Sequence, residues 1–363
     1  MADIGREIEF EEYEREFIFE GRSDELTDKD IIDFINKHME LKKRLIELEQ
    51  LYKSNHPILR QGRNKKGGYK PDNRLVVNFP KYIVDTLNGF LMGIPVKTSH
   101  ENENISNVIT EIENRNNLDD LNFELSKKMS IFGFCYELHF LDDDSKNGVV
   151  IFSPLEGFII KDNSLRSRKL RGIRYGVNSE NIISGTISDD THVYDFIINE
   201  DELLVDYENG KEHYFGEVPI IEYVENEEYQ SAYEPVETLI NAYNKAISEK
   251  MNDVDYFGDA YMKILGAKLE QKNIEQIKDN RVINLPGYEG KDITVEFMGK
   301  PNADGMQENL INRLERLIFT ISMVSNVSDE SFATSSGIAL KYKLLSMLNL
   351  SNILFPHGYV ISE

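Results

Sequence analysis

The sequence predicts an α+β fold, with helices first, an antiparallel β region next and two long helices towards the C-terminal end. Apolar residues recur at helical spacing in several stretches between residues 27 and 132. Short apolar runs alternate with turn residues between Gly133 and Val224, a pattern typical of strands joined by hairpins. Two long apolar seams then bracket a segment with Pro286, Gly287 and Gly290.

Four helices are predicted before the β region. Thr27 offers an N-cap for the first, with Asp30 as an acidic variant of the capping box, and the helix extends to about Tyr52. Its apolar positions are Ile31, Phe34, Ile35, Met39, Leu41, Leu45, Leu48 and Leu51. The second helix begins at Pro80 and ends at Gly93. The other two cover 105–115 and 118–132.

The predicted strands of the β region are Phe134–Leu141, Val149–Phe152, Phe158–Lys161, Arg171–Val177, His192–Ile198 and Leu203–Tyr207. Two long amphipathic helices follow, Val236–Phe257 and Ala303–Ser325. Their seams suit packing of helix on helix, and the residues assigned to this packing are Ile240, Tyr243, Ile247, Leu310, Leu314, Leu317, Ile321 and Val324. A polar loop from Asn326 to Ser336 leads to a last helix, from Ile338 to about Leu350.

Charge is distributed unevenly along the chain. The net charge is −23, which argues against tight, sequence-specific DNA binding but allows weak, sliding contact. The first 33 residues hold thirteen acidic and four basic residues, and we interpret 1–33 as an acidic, partly mobile arm. Residues 55–74 hold six basic residues against one acidic residue. This segment either contacts a polyanion or an acidic neighbour, or is a solvated loop.

Motifs for catalysis or cofactor binding are missing from the sequence. We find no P-loop, no dinucleotide fingerprint, no H-E-x-x-H and no G-x-S-x-G, and the histidines show no ligand spacing. The single cysteine, Cys135, excludes a disulfide framework and a cysteine-ligated zinc site. No signal peptide and no membrane span are predicted, so synthesis in a reducing cytoplasm is expected. We therefore predict no catalytic residue, metal or cofactor.

Two aspartate groups keep an enzymatic alternative open. Asp142, Asp143 and Asp144 suit a hairpin turn, although clustered oxygens also suit Mg²⁺ or Ca²⁺. A second group, Asp253, Asp255 and Asp259, stands near a helix end and could imitate the two-metal site of a nuclease. The first two of these do not share a helical face, which favours a polar surface. Mg²⁺- or Mn²⁺-dependent DNA cleavage that is lost on their substitution would support the alternative.

Two segments resemble a known family. NRLVVNFPKYIVDTLNGFLMGIPV (Asn73–Val96) resembles the N-terminal core signature of the portal proteins of tailed bacteriophages, in the subgroup of long-tailed phages of Gram-positive hosts. SGIALKYKLL (Ser336–Leu345) resembles the segment that follows the tunnel loop in that subgroup. The resemblance covers roughly residues 30–350. It implies a phage portal-like fold, with a helical and β wing and two long stem helices that bracket a small α/β clip.

The resemblance implies a structural, non-enzymatic ring subunit, dodecameric in the virion, at the capsid vertex where double-stranded DNA enters and leaves. It divides the chain into an arm (1–33), wing (34–235), first stem helix (236–257), clip (258–300), second stem helix (301–325), tunnel loop (326–337) and the start of a crown-side helix (338–363). The implied partners are other copies, the passing DNA, the terminase large subunit, a head–tail adaptor, a scaffold and the major capsid protein. ATP hydrolysis would belong to the terminase, and assembly would take place in the host cytoplasm.

The tunnel loop is the implied DNA-facing element. The residues assigned to it are Asn326, Ser328, Asp329, Glu330, Ser331, Thr334, Ser335 and Ser336. They include two acidic side chains and no lysine or arginine, so the loop can touch a moving phosphate backbone without holding it. Without the resemblance, an ordinary connection between helices is the simpler interpretation.

Residues 351–363 do not resemble the long basic helix, further wing helices and crown with which family members continue. We therefore expect a C-terminally shortened chain. A non-portal adaptor or scaffold protein of a phage head is a further alternative, which a different ring symmetry or the absence of a channel would indicate.

Overall fold

The computed structural model describes residues 13–22, 25–62, 71–199, 202–257, 262–265, 294–297, 304–326, 341 and 344–350. The chain divides into two compact units. The first unit combines residues 1–56, 77–240 and 317–363, and the second combines 57–76 and 241–316. Within the described ranges, no helix has the length and hydropathy that a membrane span requires.

Among the described residues, five helices precede the β region, four of them where the sequence predicts them, whereas the single turn of α2 was not predicted. They are α1 (Asp28–Tyr52), the single turn α2 (Pro57–Arg60), α3 (Phe79–Met92), α4 (Glu103–Asn116) and α5 (Leu118–Phe132). The predicted capping box begins α1, since Asp30 N donates to the Thr27 hydroxyl at 3.3 Å and Thr27 N donates to the Asp30 carboxylate at 2.8 Å. The helix α3 ends at Gly93 without the left-handed conformation common at such positions.

The buried face of α1 includes a histidine that the apolar pattern does not predict. His38 is buried, whereas the predicted Met39 is only partly buried. The ring nitrogens of His38 lie 2.8 Å from the Tyr175 hydroxyl and 2.7 Å from Pro154 O. Burial lowers the pKa of His38 to about 3, so the imidazole is neutral. Because a carbonyl only accepts, Nε2–H donates to Pro154 O and Nδ1 accepts from Tyr175.

The β region forms two sheets in the described part of the first unit. Its strands are β1 (Phe17–Phe19), β2 (Phe134–Leu141), β3 (Asn147–Phe152), β4 (Gly157–Asp162), β5 (Lys169–Val177), β6 (Ile183–Ser188), β7 (His192–Asn199), β8 (Glu202–Val205), β9 (Lys211–Glu212) and β10 (Ile220–Val224). Strands in the order β1-β4-β5-β6-β7-β8, with β9 paired to β7, form a seven-stranded sheet, and β10-β2-β3 form a second sheet. All pairs are antiparallel except β1 with β4.

Residues 13–19 differ from the partly mobile arm that their charge predicts. Phe17 is buried, and its ring centroid lies 4.5 Å from that of Phe158. The Arg15 guanidinium donates to both carboxylate oxygens of Glu234, at 3.1 and 2.6 Å. This part of the acidic segment is therefore held by one buried ring, one bidentate ion pair and the parallel pairing of β1. The rest of the predicted arm up to residue 12 lies outside the described residues.

The second unit contains most of the two long helices. The first, α6 (Glu237–Phe257), begins one residue after the prediction. The second, α7 (Asp304–Ile321), ends four residues before the predicted Ser325, because Met323 takes a left-handed conformation with φ 58°. Between them, β11 (Met262–Leu265) pairs antiparallel with β12 (Thr294–Phe297). The helical part of the implied α/β clip lies outside the described residues. Of the last predicted helix, residues 345–350 are helical.

A buried carboxyl group lies where α5 meets the end of β10. Glu225 N donates to Gly133 O at 2.8 Å, and the Ser130 hydroxyl donates to the Glu225 carboxyl at 3.2 Å. Burial raises the pKa of Glu225 to about 8, although the Ser130 hydrogen bond opposes this shift. The folded chain therefore holds a proton on Glu225 at neutral pH.

We expect Glu225→Gln to change how stability depends on pH. Because the folded pKa of about 8 lies above the ordinary 4.5, the parent takes up a proton on folding and loses stability as pH rises from about 5 to 8. The free energy of unfolding of the variant should rise relative to the parent across this window, by at most about 1.4 kcal/mol per pH unit. Denaturant unfolding at several pH values measures this difference. The exposed Glu228→Gln is the control; identical pH slopes for the parent and Glu225→Gln would contradict the expectation.

Candidate functional site

The two long helices are joined by polar contacts within the second unit. Lys250 of α6 forms an ion pair with Glu308 of α7. The Gln307 amide of α7 donates to the Asp253 carboxylate of α6 at 2.9 Å. These contacts tie the C-terminal half of α6 to the N-terminal half of α7 within a single chain.

The apolar seam assigned to helix packing is only partly buried. Tyr243 and Leu314 are buried, as are Ile240 and Val324, and Ile247 is partly buried. Three predicted positions of α7 are instead exposed, namely Leu310 (52%), Leu317 (36%) and Ile321 (46%). Ile311 and Ile318, which are not among the residues assigned to the seam, are buried together with Leu314.

The helix α7 therefore carries two apolar stripes. The buried stripe is Ile311, Leu314 and Ile318. The exposed stripe is Leu310, Leu317 and Ile321, separated by seven and four residues, so its members share one helical face. Met306 lies four residues before Leu310 and is also exposed, as are Met251 and Val254 on α6. We call the set of Met306, Leu310, Leu317 and Ile321 the outer stripe of α7.

An extended segment lies along α6 in the second unit. Asn73 N donates to the Asn252 side chain at 2.6 Å, and Leu75 N donates to the Ser248 hydroxyl at 2.9 Å. Because residues 71–76 belong to no sheet, polar side chains of α6 replace the usual strand partner for these amides. Sequence reasoning did not identify Ser248 and Asn252. The sequence signal for these two residues was their position on a polar face of the helix that carries the seam.

The basic segment is described only at its two ends. Arg74 is held by Asp72 at 2.9 Å and donates to Leu59 O at 3.4 Å. A cavity of about 490 Å³ is lined by α6 together with Pro57, Ile58, Gln61, Gly62 and residues 72–74. The other predicted bases of this segment, Arg63, Lys65, Lys66 and Lys70, lie outside the described residues, so neither interpretation of the segment is tested.

Most of the predicted tunnel loop lies outside the described residues. Only Asn326 is described, and it is partly buried; Ser328, Asp329, Glu330, Ser331, Thr334, Ser335 and Ser336 are not described. The chain that leads into the loop is fixed to α3, since the Tyr82 hydroxyl donates to Ser325 O at 3.1 Å. The DNA-facing role of the loop therefore stays a prediction.

The described members of the aspartate groups do not assemble into a metal site. The Asp142 carboxylate accepts from Asp144 N at 3.0 Å and from Lys146 N at 2.8 Å, which is the geometry of a turn between β2 and β3. Asp255 accepts from the Asn73 side chain, and Asp259 lies outside the described residues. Across the part of the chain that the structure describes, no three histidine, cysteine or carboxylate side chains cluster as a metal site requires. Nothing here supports the nuclease alternative.

Comparison with known proteins agrees with the two resembling segments. A family model described as phage portal protein, SPP1 Gp6-like, matches residues 32–353. The portal protein of Bacillus phage SPP1 is 27% identical over 299 residues, which are 77% of this chain and 58% of that protein. The chain thus spans a little over half the length of this curated relative. Because the matched range makes up most of the chain and includes both long helices, the chain belongs to the family of SPP1 Gp6-like phage portal proteins.

Proposed function

We propose that this chain is a structural subunit of a portal ring, the channel at one capsid vertex through which double-stranded DNA enters and leaves. Family membership supports this role. The observation on the molecule that carries the proposal is the outer stripe of α7, which lies exposed beside a buried stripe on the same helix. Apolar side chains aligned over several helical turns usually mark a surface that another protein covers.

Other copies of the chain are the proposed cover for this stripe. The helices α6 and α7 are already paired within one chain. Leu310, Leu317 and Ile321 would pack against the helix pair of a neighbouring copy, and repetition of this contact around an axis gives a ring. The dodecameric state is what the family resemblance implies.

The proposed function requires no catalytic residue in this chain. Net acidity and a tunnel loop without lysine or arginine favour passage of DNA over its retention. The proposed partners are the terminase large subunit during packaging, a head–tail adaptor afterwards, and a scaffold and the major capsid protein during assembly. The proposed location is the portal vertex of the virion, reached from the host cytoplasm. No particular contact favours a non-portal adaptor or scaffold role.

We expect Leu310→Ser combined with Leu317→Ser to weaken ring assembly. Both side chains are exposed in the single chain, so its fold should persist. Burial of one leucine contributes about 1.5–3 kcal/mol, and every 1.4 kcal/mol changes an equilibrium about tenfold. The concentration at half assembly should therefore rise at least about tenfold. Mass photometry and negative-stain microscopy measure the assemblies.

The control for this experiment is Leu204→Ser, which removes a leucine of β8 that is equally exposed. It should assemble as the parent does. A parent chain that stays monomeric at every concentration would contradict the proposed ring, as would unchanged assembly of the double variant.

Positive charge in the tunnel loop is expected to slow DNA passage. In an intact phage system, Ser331→Lys with Thr334→Lys would place two cations beside the moving phosphates, and the packaging rate should fall most at low salt. Ser331→Gln with Thr334→Gln is the control for size and polarity. Packaging at the parent rate in the lysine variant at all salt concentrations would count against the assigned role of the loop.

A further inference from the structure

The turn between β4 and β5 is held rigid by its own hydrogen bonds. The Asp162 carboxylate accepts from Ser164 N at 3.2 Å, from the Ser164 hydroxyl at 2.6 Å and from Arg168 N at 2.8 Å. Asp162 N also donates to Arg168 O at 2.9 Å, and Ser167 N donates to Ser164 O at 2.9 Å. The backbone is therefore fixed on both sides of residues 165 and 166.

This rigid turn presents an apolar side chain and two guanidinium groups to solvent. Leu165 has 108% of its reference accessible area, so it touches no other part of the described chain. Arg166 and Arg168 on either side of it are also exposed. Residues 163–171 hold four basic residues and no acidic residue. A fixed turn loses little conformational entropy on binding, which suits it to anchor an interface. We call residues 164–168 the basic tip.

The helix α4 carries an apolar face that the chain covers only in part. Ile105, Val108, Ile109 and Ile112 recur at the spacing of a buried helical face. Ile109 and Ile112 are partly buried, whereas Ile105 and Val108 are 44% and 56% exposed. We call this set the α4 face.

Acidic residues border the α4 face. Residues 101–124 hold seven acidic residues and one basic residue. Glu111 follows Val108 by three residues and Glu113 follows Ile109 by four, so they lie next to the apolar positions on the helix surface. The face is thus apolar in the middle and negative around it, whereas the basic tip is apolar in the middle and positive around it.

We propose that the basic tip of one copy docks on the α4 face of a second copy. Both surfaces belong to the first unit, and the full exposure of Leu165 shows that the tip does not cover the face within one chain. Because the two surfaces differ, the contact repeats head to tail, as a closed ring requires. It also brings opposite charges together between chains whose net charge of −23 otherwise makes them repel. Only the choice of a second copy as the partner rests on the proposed ring.

Disulfide crosslinking tests the contact directly. Leu165→Cys and Val108→Cys are introduced together into the full chain. Native Cys135 is buried and burial raises the pKa of its thiol to about 12, so it should not react. Mild oxidation should link each copy to two neighbours and give a ladder of trimers and larger species on a non-reducing denaturing gel. Each single variant can form dimers at most and is the control.

The outcomes separate this inference from the proposed function. A ladder beyond the dimer supports the contact whether or not microscopy shows rings. Rings of the parent chain together with dimers at most in the double variant would overturn the contact and leave the ring standing. If neither rings nor a ladder form, both proposals are wrong.

Charge reversal provides a second, independent test in the parent background. Arg166→Glu with Arg168→Glu should raise the concentration at half assembly at least tenfold, and so should Glu111→Arg with Glu113→Arg. All four changes in one chain should recover most of the assembly, because the opposite charges then face each other again. Lys146→Glu with Lys211→Glu makes the same change in net charge at exposed positions elsewhere and is the control. Equal losses in this control, or no recovery in the fourfold variant, would overturn the contact.

Discussion

The helix α7 has more apolar surface than its own chain buries, and the proposed assembly depends on this excess. One stripe, Ile311, Leu314 and Ile318, is covered within the chain. The outer stripe, from Met306 to Ile321, is not. A single stripe would have been enough to pack α7 in a monomer. The second stripe has a physical explanation if copies of the helix pair lie side by side, which is the arrangement that membership of the portal family favours.

Charge sets a second constraint on such an assembly. Each copy has a net charge of −23, so neighbouring copies repel at long range. Apolar contacts between the helix pairs would have to overcome this repulsion alone unless local charges are complementary. The basic tip around Leu165 and the acidic border of α4 offer one such complementary pair. In the proposed ring, the same overall acidity would lower the affinity of the channel wall for DNA and so favour its passage.

Sequence periodicity predicts the helices of this fold well and the choice of buried face less well. The first helix begins at the predicted capping box, and α6 begins within one residue of its predicted start. On α7, however, Leu310 and Ile311 both continue an apolar pattern through Leu314. Spacing alone cannot distinguish the stripe that a chain covers itself from one that another molecule covers.

Two strands that lack a simple apolar pattern, β6 and β1, were not predicted from the sequence either. The strand β6 reads ISGTIS, in which glycine, serine and threonine dilute the apolar signal. The strand β1 lies in a highly acidic stretch, whose charge predicts an exposed segment. The burial of Phe17 and the ion pair between Arg15 and Glu234 therefore could not be predicted from the sequence. By contrast, the portal family was predictable from two short segments, because their residue order carries more information than composition does. The assigned tunnel loop beyond Asn326 cannot be compared, since it lies outside the described residues.

An electron cryomicroscopy reconstruction of the assembled protein tests the central claim most directly. We expect a ring with a central channel, in which Leu310, Leu317 and Ile321 are buried against the helix pair of the neighbouring copy. Assemblies in which these three side chains stay exposed to solvent would contradict the proposed packing of α7, and so would a protein that remains monomeric.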